Sequence, residues 1–243
     1  MSKLTYPLPK TVVELGKSVL DFNDRAAASL RECFEAAGTP VANLISSPGT
    51  GKTELVIKVC EELTARGVAT AVLVGDCATD NDARRISRVC PMARQIVTEG
   101  LCHIEASMIR DGLVGWDLEL IDLLIIENVG NLVCPSDFDL GETLKVALLA
   151  VTEGEDKPLK YPHLFATADL IVITKVDLVE ACGTDMEEIR ENIAAINPGA
   201  EVIETSARTG VGIGQLASVL LGAKAATSGG GRDSNVVSGR RYS

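Results

Sequence analysis

The segment Ser46-Ser47-Pro48-Gly49-Thr50-Gly51-Lys52-Thr53 constrains the fold more than any other stretch of the chain. An apolar run from Val41 to Ile45 precedes it and reads as a buried strand, and a helical pattern carrying Leu55, Val56, Val59 and Leu63 follows. Strand, glycine-rich turn and helix in that order aim successive backbone N–H groups, together with the positive end of the helix dipole, at one anion. Lys52 adds charge for the β- and γ-phosphates of a nucleoside triphosphate, and the Thr53 hydroxyl is placed to ligate Mg²⁺. Phosphate contacts are therefore expected from Ser47 through Thr53. The pattern G-x-x-x-x-G-K-[ST] is met except at its first place, where Ser46 stands for Gly. A plain turn capping an ordinary helix is the competing reading, and the intact Gly51-Lys52-Thr53 after a strand weighs against it.

With 243 residues the chain is long enough for one α/β domain with appendages. Residues 11 to 37 repeat apolar groups at Val12, Leu15, Val19, Phe22, Ala26 and Cys33, widened by Leu30 and Phe34, and predict an amphipathic helix. Its simplest role is to cover one side of a sheet; binding a partner or a second copy fits the same spacing. Gly38 and Pro40 stop it. Further strands are predicted at 68–76, 95–98, 121–127, 145–152, 169–174 and 201–205. Helices are predicted after the N-cap Thr79 through Ile86, through Ile104 to Ile109, and at 186–196 and 213–221. Such alternation implies parallel crossovers covered on both faces. Asp76 and Glu127 end two of the strands, on the edge where ligands gather. The expected division is 1–40 for the amphipathic helix packed on the body, 41–222 for the nucleotide-binding domain, and 223–243 for a disordered tail containing Gly229-Gly230-Gly231.

The net charge of −11 repels phosphate backbones, so nucleic acid and anionic membrane surfaces are not expected partners. No apolar run is long enough to cross a bilayer, and Met1 to Lys10 lacks the pattern of a signal peptide, which points to the cytoplasm. In a reducing compartment the seven cysteines serve packing, catalysis or metal rather than disulfides. Cys33 and Cys60 read as core residues. Cys102 directly precedes His103, one of only two histidines, and Cys134 lies beyond Glu127. Thiolate and imidazole suit Zn²⁺ or Ni²⁺, provided the backbone turns at Gly100 so that both neighbours face one ion; packing is the alternative for Cys102. Cys77, beside Asp76, has a weaker claim to metal, and His163 reads as structural.

Three more segments resemble the working parts of a P-loop GTPase. Glu127-Asn128-Val129-Gly130 takes the place of the Asp-x-x-Gly switch, with the acid acting on Mg²⁺ directly or through water and Gly130 N–H near the γ-phosphate. Thr174-Lys175-Val176-Asp177 resembles Asn-Lys-x-Asp, in which Asp177 would accept two hydrogen bonds from guanine while Lys175 lies over the ring. Ser206-Ala207-Arg208 resembles the loop that meets the base through backbone N–H groups.

Longer stretches narrow the resemblance. Asn128-Val129-Gly130-Asn131-Leu132-Val133-Cys134-Pro135 and Glu153-Gly154-Glu155-Asp156-Lys157-Pro158-Leu159-Lys160-Tyr161-Pro162, with Gly75-Asp76, Thr79 to Asp82 and Cys102-His103, resemble the hydrogenase nickel-incorporation GTPases, HypB. That resemblance implies an α/β P-loop NTPase of the SIMIBI type, with a mostly parallel sheet flanked by helices on both faces. It implies GTP hydrolysis to GDP, Mg²⁺ held by Thr53, Asp76 and Glu127, and chemistry carried by Lys52, Asp76 and Glu127. It also implies Ni²⁺ or Zn²⁺ on Cys102, His103 and Cys134, a GTP-dependent homodimer, a HypA-type nickel metallochaperone and the precursor of the [NiFe] hydrogenase large subunit as partners. The Cys-rich N-terminal nickel motif and His-rich tract of some members are missing from this sequence, so only the switch-linked metal site is expected. No Gln or arginine finger stands in the usual places, so slow turnover is expected. A small-molecule kinase, a passive metal-binding dimer and a urease-type nickel GTPase are the rival readings; the last carries Cys-Pro-His where this chain has Cys102-His103.

Overall fold

The computed structural model describes residues 11–76 and 81–223. Its strands are β1 (Val41–Ser46), β2 (Thr70–Asp76), β3 (Met92–Val97), β4 (Leu123–Glu127), β5 (Leu144–Ala150), β6 (Leu170–Thr174) and β7 (Glu201–Glu204). They form one seven-stranded sheet in the order β3-β2-β4-β1-β5-β6-β7, with every pairing parallel. The central strands are buried on both faces, which is why their sequences are apolar runs rather than alternating ones.

The helices are α1 (Thr11–Ala37) before the first strand, then α2 (Lys52–Ala65), α3 (Asn81–Ile86), α4 (Ala106–Gly112), α5 (Cys134–Asp137), α6 (Lys157–Lys160), α7 (Pro162–Thr167), α8 (Val179–Cys182) and α9 (Met186–Ile196) between strands, and α10 (Ile213–Gly222) after the last. Successive residues of β1 feed opposite faces. Ala42 and Leu44 pack with α2 and α10, whereas Val41 joins the core under α1 and α4, and Ile45 joins the core under α7 and α9. The body is thus a three-layer α/β/α arrangement, as expected. No helix among the described residues is long and apolar enough to cross a membrane.

The phase of α1 departs from expectation. The buried stripe is Asn23, Ala27, Leu30 and Phe34, while Val19, Phe22 and Cys33 are exposed. A polar residue sets this phase: Asn23 Nδ2 donates to Asp139 O at 2.8 Å, and Asn23 Oδ1 accepts from Ala106 N at 2.9 Å. Cys33 is therefore a surface residue, because the helix turns to bury the Asn23 amide rather than every apolar side chain; Cys60 is core, as read. Phe34 is 1% exposed, and truncating such a ring typically costs about 3–5 kcal/mol, so α1 is firmly docked over this stripe.

Several boundaries also differ: β2 starts at Thr70 rather than 68, and β3 runs Met92–Val97 rather than 95–98. β5 ends at Ala150 and Val151–Glu153 forms a 3-10 turn, which carries Glu153 back over the phosphate loop. The stretch after the switch closes into α5, begun by Cys134 and Pro135. Cys77, the N-cap Thr79, Asp80, Met1 to Lys10 and the tail from 224 lie outside the described residues.

Candidate functional site

The phosphate loop leaves β1 where the sheet order reverses, between β4 and β5, the usual crevice of open parallel sheets. Gly49 and Gly51 take φ values of 79° and 96°, left-handed geometry that a side chain would strain. Lys52, 8% exposed, donates from Nζ to Ser46 Oγ at 2.8 Å. The departure from the glycine pattern thus has a use: Ser46 supplies an acceptor for the buried ammonium, whose pKa burial holds below the ordinary lysine value. Thr50 Oγ1 lies 2.5 Å from Glu153 Oε1, and Lys157 Nζ lies 3.3 Å from Glu153 Oε2.

One cavity of about 360 Å³ opens beside the loop, lined by Lys52, Thr53, Asp76, Asp82, Arg85 and Glu127, with Gly130 at its margin. Thr53 Oγ1 donates to Glu127 Oε1 at 2.7 Å, and the buried Glu127 Oε2 has no hydrogen-bond partner. An orphaned carboxylate oxygen beside a hydroxyl and two more acids fits a hard divalent cation such as Mg²⁺. Burial pushes the Glu127 carboxyl up to about 7, against the Thr53 hydrogen bond and the Lys52 charge. Gly130 rests on the loop: a Cβ there would stand 3.1 Å from Pro48 Cα.

The second cavity, about 260 Å³, is lined by Thr50, Gly51, Lys175, Asp177, Ala207 and Arg208 among others. Thr174 Oγ1 donates to Thr50 O at 2.8 Å and Lys175 Nζ to Gly49 O at 2.6 Å, so the β6 loop is tied to the phosphate loop. Thr174 thus braces the phosphate loop through one hydrogen bond. Lys175 holds left-handed backbone geometry at φ 59°. Ser206 Oγ donates to Asp177 Oδ1 at 2.6 Å, and Arg208 NH1 lies 3.6 Å from Asp177 Oδ2. The Asp177 carboxylate is thus fixed at the cavity wall, while Pro48 and Gly49 line the first cavity.

At the other end of the switch, one ligand atom each from Cys102, His103 and Cys134 lies within 4.8 Å of the others. The two sulfurs are 2.9 Å apart, and Cys102 Sγ is 3.9 Å from His103 Nδ1. Glu99 and Gly100, at φ 51° and 92°, make the turn that lets neighbouring Cys and His face one point. His103 Nε2 is buried without a hydrogen bond, 3.8 Å from Glu105 Oε1, and the ring stacks on Phe138 at 3.8 Å. Burial lowers the His103 pKa and so favours the neutral, ligating imidazole. The Cys134 thiol is held above its ordinary pKa, first by the Cys102 hydrogen bond and then by burial, a state that a soft cation between the sulfurs would reverse. His163 stands apart, 3.0 Å from Asp137 at the end of α5.

Sequence reading named Asp82, Asn128 and Glu153 only as members of motifs, and gave no role to these or to Arg85 and Glu105. Arg85 pairs with Glu54 and Asp82 in the phosphate cavity; a charged residue in a short helix after an active-edge strand was the available signal. Glu153 had the stronger signal, since it opens the long motif that ends at Pro162.

A phosphate loop with a fixed carboxylate at a base cavity and an acid-bearing switch defines a P-loop GTPase. Residues 40–204 match the family model described as CobW/HypB/UreG, nucleotide-binding domain. The hydrogenase maturation factor HypB of Azotobacter vinelandii is 48% identical over 204 residues, spanning 84% of this chain and 67% of the relative. That of Escherichia coli K12 is 46% identical over 85% of this chain and 71% of its own. The crystal structure of HypB from Helicobacter pylori in complex with nickel superposes with a TM-score of 0.76 at 38% identity, over 82% of this chain and 93% of that one. The chain belongs to the HypB family of hydrogenase maturation factors.

Proposed function

We propose that this chain hydrolyses GTP to GDP and phosphate to govern nickel delivery during maturation of [NiFe] hydrogenase. One observation carries the reading: the loop that starts at Glu127, bonded to Thr53 in the phosphate cavity, ends at Cys134 in the thiol–imidazole cluster. A change in what Glu127 holds must therefore be felt by a metal ligand.

Asp177 discriminates guanine by accepting from its N1–H and exocyclic amine, donors that adenine does not present together. Ser47 through Thr53 cradle the phosphates, with Lys52 leaving Ser46 for the β- and γ-oxygens. Asp76 orients the attacking water, and Gly130 N–H reaches the γ-phosphate. Thr53, Glu127 and Asp76 would hold Mg²⁺, which supplies positive charge to the phosphates when bound. Arg85, already in this cavity, is the cation nearest the role of an arginine finger. Cys102, His103 and Cys134 take the nickel, with Zn²⁺ as the competing cargo for the same donors.

Three protein ligands leave the ion incompletely surrounded, so a second copy, brought in when GTP is bound, completes the site. A HypA-type metallochaperone and the large-subunit precursor are the partners in the cytoplasm, with α1 as an appendage of the GTPase domain. Light-scattering mass with metal analysis, run with Mg²⁺ and either GDP or a non-hydrolysable GTP analogue, tests this. The expected result is a dimer with the analogue and loss of bound nickel in Cys134→Ser. Comparable affinity for GTP and ATP, or unchanged metal stoichiometry in that variant, overturns it.

A further inference from the structure

We propose that Asn128 is the positioning residue that transmits the nucleotide state to the metal ligands, by exchanging hydrogen-bond partners between Asn43 and Ile104; the proposal rests on the coupled reading above. Asn128 is 1% exposed and follows Glu127 directly. Its backbone N–H donates to Leu44 O at 3.1 Å, so it continues the β4 pairing with the strand that feeds the phosphate loop. Its side chain faces two ways. Asn128 Oδ1 accepts from Val129 N at 2.9 Å and from Ile104 N at 3.3 Å, while Nδ2 donates to Asn43 Oδ1 at 3.1 Å.

Ile104 is the residue after His103, and its own place is tightly fixed. It is fully buried against Gly75, where a Cβ would stand 2.5 Å from Ile104 Cδ1. The segment bearing Cys102 and His103 is thus anchored at Ile104 by an apolar wedge and by the Asn128 amide. Cys134 hangs on the same residue through the main chain of the switch. Both halves of the metal cluster therefore meet at Asn128.

Two amides inside a parallel sheet are costly unless every group is paired, and here one is not: Asn43 Nδ2 is buried without a partner. An unspent donor beside an acceptor permits a second arrangement, higher in energy by the hydrogen bonds that Ile104 N and Val129 N give up, and so favoured only when ligand contacts offset that cost. In it, Asn43 Nδ2 donates to Asn128 Oδ1, which releases Ile104 N. When Gly130 moves toward a γ-phosphate from its seat on Pro48, Asn128 is drawn along, and that second arrangement becomes the favoured one. Two discrete arrangements biased from both ends are what coupling between sites requires.

The test measures Ni²⁺ affinity of the full chain by competition with a colorimetric chelator, with Mg²⁺ and either GDP or a non-hydrolysable GTP analogue. Wild type should show two affinities differing by about 5- to 150-fold, the usual span of such couplings. Asn128→Ala should bring the ratio close to one while the thiolate-to-nickel charge-transfer band persists. Asn128→Asp offers acceptors to Ile104 N and to the spare Asn43 donor at once, so no exchange is needed and its ratio should also fall toward one while both metal-bearing segments stay anchored. Should the alanine variant not fold, Asn43→Val removes the exchange partner and should lower the ratio in the same way. A wild-type ratio preserved in Asn128→Ala and Asn43→Val, or equal weakening in both nucleotide states, overturns the proposal. A wild-type ratio of one overturns the coupled reading itself, before any variant is compared.

Discussion

Lys52 is an ammonium held inside the protein before any phosphate arrives, and Ser46 Oγ is what holds it. Ser46→Ala removes that acceptor without touching the loop backbone, so it should cost the nucleotide-free protein about 1–3 kcal/mol, the range for a buried charged donor left unpaired. On the proposed reading Lys52 faces phosphate instead once Mg²⁺ and GDP are bound, and the same substitution should then cost little. The rise in unfolding midpoint on adding nucleotide should thus be larger in the variant; an equal loss in both states would refute this role. Glu127 makes a second prediction at this scale. Its carboxyl is raised by burial from an ordinary 4.5 to about 7, so the folded state favours the protonated form. The stability tied to that proton is complete below 4.5 and is lost as pH rises through about 7, a loss on the order of 3 kcal/mol in the nucleotide-free protein. Glu127→Gln should flatten that decline in a denaturant series from pH 4.5 to 8, and an unchanged slope would show that the carboxyl is solvated.

Elements differ in how much the sequence discloses of them. The strands at Val41–Ser46, Leu123–Glu127 and Leu170–Thr174 were legible because strands buried on both faces must be continuous apolar runs. The phosphate loop was legible because its geometry demands glycines at fixed places. The face of α1 was not, since its buried stripe centres on Asn23, and only tertiary partners reveal that this amide is bonded on both sides. The role of Asn128 was hidden for the same reason: it was named within the switch motif, but only its tertiary partners Asn43 and Ile104 show what its amide holds. In the metal cluster, Cys102, His103 and Cys134 were visible as donors, whereas their approach depends on the turn taken at Glu99 and Gly100 and on where the switch loop delivers Cys134. One more bond fixes α1, the two-pronged pair of Arg31 NH2 with Asp139 at 2.6 and 2.7 Å. Both side chains are more than a third exposed, so solvent screens the pair. Arg31→Ala should therefore cost about 1 kcal/mol, read as a shift in urea midpoint with an unchanged slope. A changed slope would mean that α1 detaches before the body unfolds.

Across the whole molecule, an acidic chain must bind an acidic nucleotide. The phosphate cavity itself presents Glu54, Asp76, Asp82 and Glu127 against Lys52 and Arg85, so electroneutrality there depends on a divalent cation arriving with the nucleotide. On the proposed function, nucleotide and nickel act on one shared loop, from Glu127 to Cys134, and thermodynamics then makes their influence mutual. The factor by which exchanging GDP for a GTP analogue changes nickel affinity must equal the factor by which nickel changes the ratio of the two nucleotide affinities. Two independent titrations measure these, one following the chelator and one following a fluorescent nucleotide, both with Mg²⁺ in excess. Equality at a single protein concentration and at a tenfold dilution would place the entire coupling within one subunit. Factors that agree at each concentration but shrink together on dilution would place part of it in association with a second copy. Nickel that leaves both nucleotide affinities untouched, at any concentration, would show the loop to be a tether rather than a lever.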